Sequence, residues 1–468
     1  MSTEGKSAPG PQPITNLLAQ IKLMRDFDRD AFGVVMSGFR EYGDIWQITA
    51  GGTQTVMLAH PDHLHQVMVT DADKFTKDAG YKDKDKGLAR FMGNGLVTSD
   101  GEFWRRQRKL MQPSFHAKRI EAYAETMVEH THIQMRDWRA GALIDVSEQM
   151  MELTLNIVVE ALFKADVSDD AQRIGEAMDV FQEMQKNQNQ LLPTWLPTPT
   201  ELRTRKATRD LDAIIYRLIA ERRANPVERG DLLTMLLEAR DDDGQGMTDL
   251  QIRDELVTLF LAGHETTANS LNWTFILLAQ HPQVQARLLD EIDTVLGGRA
   301  PTLADLRALP YLDQVVKESM RIYPAVPAVG RQAKEDVIIG GYLIPKGSSL
   351  NLFTWVTHQD KRWWGDDATE FKPQRFAPER EAEQKKYSYL PFAAGPRVCI
   401  GNSFAMMEAR LLLATILQRW TLHLVGAAPQ PEPLITLRPK GGLKMRAEAR
   451  VPTHAANAEA YTHSIVSL

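Results

Sequence analysis

The chain has 468 residues, 43% hydrophobic and 25% charged, with a formal net charge of −6; the composition is that of an ordinary globular protein, and without a long basic run it argues against nucleic acid as the main partner. Its single cysteine, Cys399, excludes an internal disulfide, a zinc site of two or more thiolates and an iron–sulfur cluster held by four. No stretch reaches 18 apolar residues without charge, so no membrane span is predicted and a cytoplasmic protein is expected.

In chain order, residues 1–13 are rich in Gly, Ser and Pro and are expected to be disordered. They carry neither the basic nor the apolar region of a signal peptide. Residues 14–450 are expected to form one domain, with 451–468 as a tail of no readable role. Residues 45–59, IWQITAGGTQTVMLA, predict a β-hairpin about Gly51-Gly52. In EFWRRQRKLM (102–111), Trp104 and Arg108 share one helix face, and Arg105, Arg106 and Lys109 read as a basic surface. ELTLNIVVEALF, DLDAIIYRLIAERR and VQARLLDEIDTVL carry apolar residues at three- and four-residue spacing and predict helices. Loops are placed near Asn225-Pro226, 241–246 and 427–433. Residues 337–352 predict a second sheet segment, with turns at Gly340-Gly341 and 345–347. The whole reads as mainly α with a small β part (α+β).

Three helical segments carry chemistry. Residues 255–280 predict a long helix with apolar ends and a polar middle, GHETTANS; Thr266 is placed to bond back to the carbonyl of Ala262. Residues 311–324 predict a helix stopped by Pro324, with Glu318 and Arg321 three apart beside the apolar face of Leu312, Val315, Val316 and Met320. Such a pair is more often a weak surface ion pair. Lastly, Cys399 stands just before the helix GNSFAMMEARLLLATILQRW, whose Phe404, Met407, Leu411, Leu412 and Ile416 share a face. A thiol there meets unpaired backbone N–H groups, with Arg397 two residues away, and both favour thiolate. Alone, Cys399 would read as a small buried hydrophobe. Its loop, however, has five fixed residues at fixed spacings: Phe392, Gly395, Arg397, Cys399 and Gly401.

This pattern resembles the cytochromes P-450, which bind haem b through a cysteine thiolate. The resemblance spans roughly residues 12–450, strongest over 255–410. One departure is Ala393, where the family more often has Gly, Ser or Asn; as alanine is small, little consequence is expected. The resemblance implies a triangular helical prism with haem between the long central helix and the cysteine-loop helix. It makes Cys399 the metal ligand, with Phe392 and Gly401 beside it. Glu318 and Arg321, with Arg375 from Pro373-Gln374-Arg375-Phe376, become a structural triad. Trp104, Arg108, Arg331 and Arg397 become propionate partners. Ala262 and Gly263 border the oxygen site, Gly263 leaving room for dioxygen, and Glu265 and Thr266 deliver protons to it. The pocket would draw on residues 81–97, 181–196, 325–329 (Ala325, Val326, Ala328, Val329) and 441–443 (Leu443).

The implied reaction is monooxygenation: one atom of O2 enters an apolar substrate, a fatty acid first and a terpenoid or other lipid next. No dinucleotide fingerprint is present, so a separate ferredoxin- or flavodoxin-type donor with its NAD(P)H reductase is expected, docking in part on Arg105, Arg106 and Lys109. A monomer is expected. The reading from another class is a haem–thiolate gas sensor or electron carrier, which would not need Glu265 and Thr266.

Overall fold

The computed structural model describes residues 5–164, 170–186, 194–226 and 229–452. Strand β1 (Lys6–Ser7) is followed by helix α1 (Leu17–Tyr42), the hairpin β2 (Ile45–Ala50) and β3 (Thr53–Leu58), and β4 (Phe75–Thr76). A helical stretch comes next: α2 (Gly101–Met111), α3 (Ala124–Gln134), β5 (Leu143–Asp145), α4 (Val146–Phe163), α5 (Ala171–Lys186), α6 (Pro199–Ala224), α7 (Asp249–Gln280), α8 (Pro282–Leu296) and α9 (Pro310–Ile322). Four strands then precede the last long helix: β6 (Val329–Ala333), β7 (Val337–Ile339), β8 (Tyr342–Ile344) and β9 (Ser349–Leu352), then α10 (Asn402–Arg419). Strands β10 (Trp420–Leu424), β11 (Pro431–Pro433), β12 (Leu437–Pro439) and β13 (Lys444–Ala449) complete the order.

Helix α7 organises the molecule. A capping box starts it: Thr248 accepts from the Gln251 amide while the Gln251 side chain accepts from the Thr248 amide. Its 32 residues span roughly 48 Å, enough to serve two cores. Leu256 and Phe260 pack with Leu162, Phe181 and Ile214 of α4, α5 and α6. Leu271 and Phe275 pack with Met127, Leu153, Val315 and Leu412 of α3, α4, α9 and α10. The polar middle is satisfied within the helix or by a neighbour. Thr266 donates to the Ala262 carbonyl (2.7 Å), Ser270 to that of Thr266, and Thr274 to Ser270 and Ser319.

The main sheet runs β2-β3-β9-β6-β4. The hairpin turns where predicted: Ala50 faces Thr53, and Gly51 and Gly52 take φ of +57° and +79°, the left-handed pair a two-residue hairpin turn needs. Residues 337–352 divide between two sheets. Strand β9 extends the hairpin's sheet, while β8 pairs with β7 on one side and β1 on the other. The expectation of disorder over residues 1–13 therefore fails for 5–13. Lys6 and Ser7 pair in parallel with Tyr342 and Leu343, Ala8 is buried, and the Pro9 carbonyl accepts from Gln47. Gly10 lies so close to that strand that a Cβ would meet the Gln47 oxygen at 2.0 Å. Small residues here serve close backbone approach. The tail beyond 452 lies outside the described residues.

Candidate active site

The cysteine loop, Phe392 to Gly401, lies between α10 and a helical turn at residues 66–70. Gly395 has φ +70°, and a Cβ there would strike the Met68 carbonyl oxygen at 2.0 Å, so no other residue fits without moving the turn. The Cys399 amide donates to the Phe392 carbonyl (3.0 Å), and Arg108 donates to that of Val398 (3.0 Å). Cys399 lies deep in the molecule, with its side chain open to a cavity under α7. Burial pushes its thiol upward; the Gly401 amide and Arg108 oppose this without overcoming it. The helix start, through the Gly401 amide, thus acts in the expected direction but is outweighed by burial. Only the expected help from Arg397 is corrected, since its guanidinium turns away to the Ser99 carbonyl and Asp100. A cation at the sulfur is needed to hold the thiolate.

Behind the loop lies a cluster of buried cations. The Arg397 guanidinium stacks over the Trp104 ring at 4.2 Å. Arg331, on β6, is 6% exposed. Beside them stands Lys77, which the sequence reading missed; its ammonium lies over the Tyr81 ring at 4.0 Å. Burial, then Arg331 and Arg397, push the Lys77 ammonium well below the ordinary lysine range. Asp100 is engaged by Arg397, Lys82 and the Lys77 amide. Among the described residues neither Lys77 nor Arg331 forms an ion pair. A buried excess of positive charge calls for an anion, and the two propionates of haem fit it. Arg108 is not part of this cluster: its charge acts on Cys399.

Across the cavity, α7 presents Ala262, Gly263, Glu265 and Thr266. A Cβ on Gly263 would meet Val158 of α4 at 3.1 Å, so its smallness also serves helix packing where it lines the cavity. Glu265 is buried and already engaged. Its carboxylate accepts from Thr436 (2.5 Å) and from Arg438 (2.7 and 3.0 Å). Both partners come from the β11–β12 hairpin and were not foreseen. The need for some partner was legible, since an ionised glutamate inside a buried helix requires one.

The triad residues meet with Glu318 and Arg321 fully buried and Arg375 partly so. Arg321 grips Glu318 through two bonds of 2.7 and 2.8 Å, and Arg375 approaches Glu318 to 3.4 Å. Arg321 also donates to the carbonyls of His358, Ala368 and Glu370. Burial pushes the Glu318 carboxyl up, and Arg321 and the Lys372 amide draw it back.

Cavity walls come from Tyr81, Leu88, Met92 and Val97, from Phe181, and from Ala325, Val326 and Val329. Two expected wall residues lie elsewhere. Ala328 packs against the cluster of Trp46 and Phe353, and Leu443 belongs to the main core. Ile435 and Thr436, at the tip of the β11–β12 hairpin, reach the cavity in place of 441–443. Residues 187–193 of the expected wall lie outside the described residues. The basic positions on α2 are also changed by the structure. Arg105 pairs with Glu102, Arg106 with Asp241 (2.6 Å) and Lys109 with Asp242. These acids cancel much of the field a docking partner would feel.

Comparison with known proteins agrees with this geometry. A family model described as Cytochrome P450 matches residues 8–445. Pentalenene oxygenase of Streptomyces avermitilis is 35% identical over 427 residues, covering 89% of this chain and 93% of that protein. Cyclooctatin synthase of Streptomyces melanosporofaciens is 37% identical over 417 residues, covering 87% and 89%. The cyclooctat-9-en-7-ol 5-monooxygenase of the same organism is 34% identical over 416 residues, covering 87% and 89%. A thiol facing a long helix across an apolar cavity, with buried cations beside it, is thus joined to kinship along nearly the whole chain, and the chain belongs to the cytochrome P450 family of haem-dependent monooxygenases.

Proposed function

We propose that this enzyme oxygenates a terpenoid hydrocarbon skeleton, with Cys399 holding the haem iron and a ferredoxin- or flavodoxin-type protein with its NAD(P)H reductase supplying electrons. Haem supplies the site that binds and activates dioxygen. Lys77, Arg331 and Arg397 would hold its propionates, and Trp104 would back them through Arg397. Thr266 and Glu265 would manage protons, the hydroxyl oriented by the Ala262 carbonyl and the carboxylate by Arg438. The observation that carries the reading is the cavity wall: Leu88, Met92, Val97, Phe181, Val326 and Ile435 offer apolar contact to a hydrocarbon. A fatty acid was the first sequence-based expectation. The terpenoid reading is preferred because Lys77 and Arg397, the wall's cations, would be taken up by the cofactor, and because the relatives named for pentalenene, cyclooctatin and cyclooctat-9-en-7-ol cover most of the chain.

The test is a spectral titration of purified enzyme. Reduction under carbon monoxide should give the strongly red-shifted Soret band of thiolate-ligated haem, lost in Cys399→Ser. Cyclic sesquiterpenes and diterpenes should then shift the ferric spin state at lower concentration than C12–C18 fatty acids. The reverse order would overturn the terpenoid assignment, and no red-shifted band would overturn the role of Cys399.

A further inference from the structure

His358 has no part in the reading above, yet it stands between the buried triad and the cysteine loop. It is fully buried, at the end of a short helix, Thr354–His358. Its carbonyl accepts from Arg321 (2.6 Å). Its Nε2 accepts from the backbone amide of Leu390 (2.7 Å). From Leu390 the bonds continue to the sulfur-bearing residue: the Ala393 amide donates to the Leu390 carbonyl (3.2 Å), and the Cys399 amide to that of Phe392 (3.0 Å).

We infer that His358 is a positioning residue for the iron ligand, transmitting the fixed geometry of Glu318 and Arg321 to the Cys399 loop through the Leu390 amide. The inference rests on the assignment of Cys399 as that ligand. Three features make a histidine suited to this place. The acceptor must reach a buried amide in an irregular segment that has no strand ladder to satisfy it. It must not compete for protons. Burial and the neighbouring Arg321 push the His358 imidazole down to about 3, so Nε2 keeps its lone pair over the working range. The ring is also fixed from the side: it lies against Tyr389 at 5.4 Å, whose hydroxyl donates to the Lys317 carbonyl of α9 (3.0 Å). With Nε2 accepting, the proton sits on Nδ1, beside the Met320 and Arg321 carbonyls though without a well-formed bond. The acceptor at Nε2 is therefore the ring's strongest directed contact.

The experiment compares haem-loaded wild type, His358→Gln and His358→Leu. Glutamine keeps an oxygen near the Nε2 position; leucine keeps bulk and removes the acceptor. Two quantities are read: the rate at which the red-shifted carbon monoxide band decays to the thiol-type band under mild denaturant, and hydrogen exchange of the peptide covering 386–392. A lost acceptor at a buried amide should raise both rates about tenfold in His358→Leu, and His358→Gln should stay within about threefold of wild type. Unchanged rates in His358→Leu, or equal losses in both variants, would overturn the inference. If His358→Leu fails to fold, the wild type decides. The Leu390 amide should exchange as slowly as the buried helices, and fast exchange there would overturn the tie. A wild type without the red-shifted band would instead sink the Cys399 assignment, leaving the exchange result to judge the hydrogen bond by itself.

Discussion

Ala393 illustrates what a single residue in this loop costs. It sits at φ +57°, in the left-handed region where a Cβ costs about 1–2 kcal/mol. The residues usual in the family there include glycine and asparagine, which tolerate that region best. The expectation that alanine is harmless because it is small considered volume and overlooked the backbone. Ala393→Gly should stabilise the protein by roughly 0.5 kcal/mol, the relieved strain less the extra freedom of glycine in the unfolded chain. Thermal unfolding of the haem-loaded variant would rise by only about half a degree in a chain of this length, so the urea midpoint is the better readout, with the carbon monoxide band in place; a lowered midpoint would show that the strain argument is wrong. Residue-scale legibility follows the same division. Cys399, Glu318 and Arg321 stand out because local spacing and chemistry coincide. Lys77, His358, Thr436 and Arg438 do not, because each acquires its role from a partner more than twenty residues away.

At the scale of elements, the periodic helices were readable and most short strands were not. Helices α4, α6, α8 and α9 repeat apolar residues on one face. By contrast β6 (VGRQA) and β13 (KMRAEA) have strand character only through pairing with β9 and β10, a tertiary effect that local pattern does not carry. A further element-level link joins α7 to the cavity wall. Asp254 accepts from the Asn94 amide (2.8 Å) and Glu255 from the Leu96 amide (2.9 Å). Gly93 and Gly95 make room for this clasp, since Cβ atoms there would meet Asp254 at 2.1 Å and Thr258 at 2.2 Å. The clasped segment carries Met92 and Val97 into the cavity wall. Glu255→Ala leaves the Leu96 amide unpaired, an effect worth about 1–3 kcal/mol. A bound apolar ligand should then leave roughly tenfold faster, measured by stopped-flow displacement followed in the Soret band. An unchanged rate would mean that this segment does not open during exchange.

The whole molecule responds to pH through groups the active site does not use. Burial pushes Glu255 and Glu408 up to about 8 each. Glu408, on α10, is fully buried with the Thr267 side chain nearby, but neither of its oxygens has a well-formed hydrogen bond. In the unfolded chain such carboxyls ionise near 4.5. Between about 4.5 and 8 the folded protein therefore binds more protons than the unfolded one, and stability falls as pH rises. Buried histidines act in the opposite sense. His358 and His264 are held below their ordinary range, chiefly by burial, so stability rises with pH up to about 6.5 and levels off above it, once the unfolded histidines have lost their protons. Above pH 7 the histidine contribution is nearly complete while the carboxyl contribution is not. The clean window is thus pH 7 to 8. There each carboxyl should remove about 1 kcal/mol of stability. Glu408→Gln abolishes one of the two contributions and preserves the shape of the side chain. Its urea midpoint should fall less steeply than that of wild type between pH 7 and 8, and the variant should gain on wild type as pH rises. Parallel slopes would show that Glu408 is ionised in the folded protein, and its place between α7 and α10 would then require a cation or water that the carboxyl alone does not explain.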